Sequence, residues 1–273
     1  MRFKLSSLIC FVLCSIAVLA QERQQAFIDR AQVLHKQSSA TVVANDPRPL
    51  DQAIAAIREE YGWTVSFEDP PYKSRFDLVE SAQLAAQSGV RALIPAGGAF
   101  QSTYPEGANM WSSASGEEQV LDKVVSDYNA GRNPGKFVVR EQSNGTYTII
   151  GDHVEDENGD EVPVSSVLDT PISIPTQTRS AGATINLILQ TLTLRGGTKV
   201  LFATGPLNAL VHAQVTVGGT NVSARSLLLR AISGVEGAKL IWDLLYDADG
   251  QAFYLNLTRT RRVNYDTFGR RAP

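Results

Sequence analysis

The apolar positions of this chain recur in short blocks, each a helical stripe followed by an alternating run. In PLDQAIAAIREEYGWTVSFED, residues 49–69, Leu50, Ile54, Ile57 and Tyr61 repeat at helical spacing behind Pro49, a favourable first-turn residue. Gly62 stops that helix. Trp63, Val65 and Phe67 then alternate with Thr64, Ser66 and Glu68, as in a half-buried strand. Glu117 to Tyr128 is a second amphipathic stretch with Leu121, Val124, Val125 and Tyr128 on its apolar face. Two strands follow, Lys136 to Arg140 and Thr146 to Ile150, turned through Ser143-Asn144-Gly145.

The C-terminal half is more regular. A short strand around Ile172 and Ile174 precedes a helix from Ala183 to Leu194, closed by Gly196-Gly197, and a strand from Lys199 to Ala203. Gln214 to Val217 reads as a strand turned by Gly218-Gly219. Ser223 is the expected N-cap of a helix from Arg225 to Ser233, with Leu227, Leu228, Ala231 and Ile232 inward. Leu240 to Tyr246 and Ala252 to Leu257 make a hairpin about Asp249-Gly250. Before these blocks, Phe27, Ala31 and Leu34 share a face in a helix expected over 24–36. Leu78 to Leu84 reads as a strand and a short helix, with loop at Gly97-Gly98 and over 112–116.

The blocks resemble one another. VLDKVVS, 120–126, aligns with LLLRAIS, 227–233, each followed by a Lys-led strand, a Gly turn and a Tyr-containing strand; residues 50–67 repeat the helix–Gly–strand part. The predicted fold class is α+β: two domains of small helix-over-sheet modules of β-α-β-β type, with antiparallel or mixed sheets, over 46–151 and 171–258. Residues 21–45 hold the first helix and a linker, 152–170 form an acidic, proline-bearing linker, and 259–273 are a basic tail.

Arg2 and Lys4 precede an almost wholly apolar run from Leu8 to Leu19, and Val18-Leu19-Ala20 supplies a cleavage site. The expectation is a signal peptide over 1–20 and a periplasmic or secreted product. Cys10 and Cys14 leave with it, so the mature chain has no disulfide and no thiolate, and its core alone must hold the fold. Losing Arg2 and Lys4 takes the net charge from −3 to −5, which disfavours nucleic acid as a partner. No later stretch is long and apolar enough to span a bilayer.

No catalytic signature accompanies this pattern. The histidines, His35, His153 and His212, stand far apart, and there is no G-x-S-x-G elbow or phosphate-binding glycine loop. The acidic run 152–161 does not meet the spacing of a twelve-residue Ca²⁺ loop and reads as solvated. Glu59-Glu60 and Glu68-Asp69 do not converge on one bond, and surface solvation is expected for both. Trp63 and Trp242 are expected in the core. Trp111, with Phe100 and Tyr104 nearby in a Gly- and Ser-rich stretch, is the candidate contact for a partner or a sugar. No cofactor or metal is expected. Asn144, Asn221 and Asn256 head sequons that matter only in a glycosylating host.

PLDQAIAAIREEYGWTVSFED is similar to the secretin and TonB N-terminal short domain, in which a Pro-Leu start leads a helix into a glycine and a strand. NVSARSLLLRAISGVEGAKLIWDLLYDADGQAFYLNL, 221–257, resembles the same kind of module or its ring-forming secretin relatives. The resemblance covers roughly 20 residues of the first half and 40 of the second, in apolar positions and glycine rather than chemical motifs. It implies small α+β units that fold in the periplasm and dock against partner proteins or copies of themselves. No secretin pore region, receptor barrel or plug follows. The expected function is a non-enzymatic envelope protein acting through protein contacts, by self-association or with a partner, with strand addition at an open sheet edge as one mode. The competing expectation is an envelope hydrolase or glycan-binding protein using residues 97–116.

Overall fold

A computed structural model describes residues 31–45, 47–80, 93–106, 114–143, 145–237 and 239–260. The expected signal peptide, residues 24–30 of the expected first helix, residues 81–84, Trp111, Asn144 and the expected tail from 261 lie outside them.

The fold is α+β. Helix α1 (Pro49–Tyr61) has Pro49 in its first turn and ends on Gly62, whose φ of 68° closes the helix through a hydrogen bond from its N–H to the Arg58 carbonyl. Strand β3 (Val65–Glu68) follows. In the same half, β1 (Gln32–Lys36), β2 (Ser39–Ala44) and β6 (Phe100–Pro105) form a three-stranded antiparallel sheet. Between β3 and β6 lies a small ladder of β4 (Leu78–Glu80) and β5 (Leu93–Pro95). Helix α2 (Ala114–Ala130), β7 (Lys136–Glu141), β8 (Tyr147–Glu155) and β9 (Glu161–Pro163) complete it.

The second half runs β10 (Pro171–Ser180), α3 (Ala181–Gly196), β11 (Lys199–Thr204), a short α4 (Leu207–His212), β12 (Gln214–Ser223), α5 (Ala224–Ser233), β13 (Leu240–Asp247) and β14 (Ala252–Arg259). The hydroxyls of Ser180 and Ser223 accept from the backbone N–H of Ala183 and Ser226, capping α3 and α5.

The two halves share one topology. Antiparallel β2·β6 corresponds to β10·β12, parallel β3·β8 to β11·β14, and antiparallel β7·β8 to β13·β14. Helices α1 and α2 occupy the places of α3 and α5 in this order, so the 120–126 and 227–233 stretches lie on topologically equivalent helices. Each half closes its own core. Leu50, Ile54, Ile57, Leu121, Val124 and Phe67 belong to one cluster; Ile185, Ile188, Leu227, Leu228, Trp242 and Leu255 belong to the other. The cores are separate, but the larger sheet is continuous, ordered β11-β14-β13-β3-β8-β7 with β9 beside β8.

Four local expectations change. Residues 32–36 are strand rather than helix, because β1 pairs with β2 from Gln32↔Val43 to Lys36↔Ser39 and backbone pairing outweighs the helical spacing. Residues 152–170 are not a free linker. They carry the end of β8, β9 and a single 3-10 turn, with Asp156 Oδ1 accepting from the N–H groups of Asn158 and Asp160 to make the tight turn. Gly218-Gly219 does not turn the chain, since β12 runs through it. A Cβ at Gly218 would stand 2.3 Å from the Thr176 Cα, so the glycine serves close approach of β10. Residues 114–116, expected as loop, open α2. Among the described residues no helix is long and apolar enough to cross a membrane.

Candidate functional site

The expected aromatic contact is not assembled on the surface. Phe100 and Tyr104 alternate inward on β6 and are 5% and 1% exposed. The Tyr104 hydroxyl meets that of Tyr61 at 3.2 Å, and Phe100 packs edge-on against Tyr128. Both are core residues, and Trp111 lies outside the described residues. The histidines stand apart: His35 on β1 bonds Glu106 at 2.8 Å, His212 ends α4, and His153 on β8 lies 2.8 Å from Asp152. His153 lines an open cleft of about 550 Å³ with Asp77, Arg132, Lys136 and Glu155, and no serine lines it among the described residues. The Lys136 ammonium there is spent on the carbonyls of Asn129 and Gly131. No group of His, Cys, Asp and Glu among the described residues is arranged to hold a metal.

The densest polar chemistry lies where the two units meet. Glu68 and Asp69, expected at the solvated surface, are 1% and 4% exposed. Strand alternation sends them to different places. Glu68 crosses to the second unit, where it accepts from both terminal nitrogens of Arg225, from Trp242 Nε1 at 2.9 Å and from Ser166 Oγ at 2.5 Å. Arg225 also donates through Nε to Asp169 at 2.9 Å, and Asp169 in turn accepts from Arg140 at 2.8 Å. Burial opposes the charge on Arg225, but the Glu68 and Asp169 carboxylates together outweigh it and hold the guanidinium pKa above its ordinary value. On Asp169 burial is likewise outweighed, by Arg225 and Arg140, and its pKa lies below the usual carboxylate value.

Asp69 pins the edge of β13. Its N–H donates to the Leu244 carbonyl at 2.9 Å, and its Oδ2 accepts from Tyr246 N–H at 3.0 Å and Arg48 Nε at 2.8 Å. Arg48 Nη2 donates to the Tyr246 carbonyl at 2.7 Å. Arg48 has φ 55°, a left-handed conformation that costs a non-glycine residue of order 1–3 kcal/mol and persists only where its surroundings fix it. Arg58 grips Asp243 with both terminal nitrogens, at 2.7 and 3.1 Å. Glu68, Asp69, Asp169 and Asp243 are each engaged by donors, so the cluster is a joint. Its contacts Glu68–Arg225, Glu68–Trp242 and Arg58–Asp243 join residues 157, 174 and 185 apart along the chain, and only the alternation of 65–68 hinted at the direction of Glu68.

Three further acids titrate upward. Burial, then the neighbouring Asp243, pushes Asp51 to about 7; burial pushes Glu117 to about 7; burial and Glu155 push Asp77 to about 6. A carboxyl raised above its unfolded value near 4 favours the fold below that value, and loses the contribution as pH climbs through the folded value. Asp169 and Asp127, both lowered, act the other way and weaken the fold only under stronger acid. The melting temperature is therefore expected to be higher at about pH 5.5 than at about pH 8. Asp51→Asn should shrink that difference; an unchanged pH profile by calorimetry would refute the assignment.

The outer strands of the continuous sheet are β7 and β11, and no described strand pairs with their free sides. Val138 on β7 and Leu201 on β11 are 37% and 44% exposed, and Leu207 and Val211 of α4 are exposed too. The first outward backbone group of each edge is clamped by its own helix. Asn129 bonds both the N–H and the carbonyl of Phe137, and Thr193 Oγ1 accepts from Val200 N–H at 3.0 Å.

No family model, curated protein or solved structure matches this chain.

Proposed function

We propose that the protein is an exported, non-enzymatic envelope component that works by docking other protein segments along its open strand edges, through modules like the secretin and TonB N-terminal short domain. The observation that carries the reading is a pair of repeated helix-and-sheet units whose shared sheet ends in two strands without described neighbours, each with an exposed apolar side chain, Val138 and Leu201. Strand addition at such an edge supplies backbone hydrogen bonds, and the apolar side chains supply contact area. The elaborate polar chemistry supports the same reading, because it joins the two units rather than opening into a reaction centre. The apolar leader pattern supports export.

Affinity-tagged protein recovered from the envelope fraction is expected to carry a protein companion in fixed ratio. Val138→Asp or Leu201→Asp should reduce that retention at least severalfold by placing a charge on an edge. Undiminished retention by both variants, or recovery with no companion at all, would sink the docking reading.

A further inference from the structure

The seam between the units says what fits the free edges. Unit one contributes β3-β8-β7 to the sheet and unit two β11-β14-β13, in the same left-to-right order. The central contact is parallel, with Asp243 opposite Phe67 and Leu244 opposite Glu68. Given the parallel and antiparallel pairings on either side, β13 therefore runs with β3, while its counterpart β7 runs against β3. Neighbours across a ladder share a face. Phe67 faces the first core and Leu244 the second, so the two cores cover opposite faces of the sheet. The second unit is thus related to the first by a half-turn about an axis across the strands, plus a shift of three strands. That operation joins unlike surfaces, β13 to β3, and a contact between unlike surfaces does not exhaust itself. It leaves the counterpart of β13, which is β7, free at one end, and the counterpart of β3, which is β11, free at the other.

We infer that β7 of one molecule pairs in parallel with β11 of a second copy, repeating the internal seam and building an open, head-to-tail sheet. This rests on the docking reading and names its partner. The side chains at the two edges match. Counting from the core-facing Phe137 and Trp242, Val138 stands where Asp243 stands in the seam, and Ala203 where Glu68 stands. The ionic joint is thereby replaced by Val138, Leu201 and Phe202, so the contact between copies is apolar and reversible where the internal one is ionic and fixed. Arg140 does not repel, being committed to Asp169. Beyond the clamped Phe137 and Val200, the outward backbone groups are those of Val139 and Glu141 on β7 and of Phe202 on β11, a ladder as short as the internal one.

Sedimentation velocity of the purified protein over a concentration series tests this. The average mass should rise with concentration without stopping at a dimer, and Val138→Asp or Leu201→Asp alone should return it to the monomer. An equal mixture of these two variants should stop at one-to-one pairs, because each keeps one intact edge. Hydrogen exchange on the unmodified chain should show the amides of Val139 and Phe202 slowing as concentration rises. A monomer at every concentration, a plateau at a symmetric dimer, or a mixture that stays monomeric would each overturn the inference. A monomer that still retains a different companion from the envelope fraction leaves the docking reading standing and removes only the second copy as its partner.

Discussion

Replacing Glu68 with alanine is expected to destabilise the protein by about 3–5 kcal/mol, the cost of removing one partner from a buried ion pair. The side chain is 1% exposed and takes bonds from Arg225, Trp242 and Ser166. Without it Arg225, itself 5% exposed, keeps only the Asp169 contact through Nε, and the Trp242 indole N–H loses its acceptor. Most of the loss is the uncompensated guanidinium rather than the worth of the pair. A joint change, Glu68→Met with Arg225→Met, is therefore expected to recover much of it, because no charge is then left buried. Urea unfolding checks both: the midpoint should fall sharply for the single variant and partly return for the double. A single-variant loss below about 1 kcal/mol, the range of exposed pairs, would mean that water reaches this joint.

Much of each unit was legible in the sequence, and the joint was not. The stripe Leu50, Ile54, Ile57, Tyr61 and the Gly62 stop gave α1, and Ser223 with Leu227, Leu228 and Ile232 gave α5, because local spacing and capping decide where a helix lies. The Asp249-Gly250 signal gave the β13–β14 hairpin for the same reason. Phe100 and Tyr104 misled, since an aromatic near glycines and serines looks alike on a loop and on a strand that alternates into a core. Glu68 misled more deeply. An acidic pair at a strand end is usually solvated, and what buries it is Arg225, 157 residues further on. The unit-to-unit pairing is a property of topology, and no local pattern in residues 65–68 or 240–247 encodes it.

Truncating Ile54 or Leu228 to alanine is expected to cost about 2–5 kcal/mol each, since both are fully buried and the sites collapse only in part. The two residues sit in different clusters with no member in common. Their costs should add to within about 0.5 kcal/mol, as for sites without shared partners. Where each cost falls follows from the seam. The Glu68–Arg225 and Arg58–Asp243 contacts tie the units at the sheet, so with the joint intact either truncation lowers one common unfolding transition. With Glu68→Ala present as well, Leu228→Ala should speed hydrogen exchange at Leu255 and Val217 first, and Ile54→Ala at Ile149 first, as the cores open separately. Equal acceleration throughout the chain in both cases would mean that the clusters form one cooperative core, and that the ionic joint is incidental to their coupling.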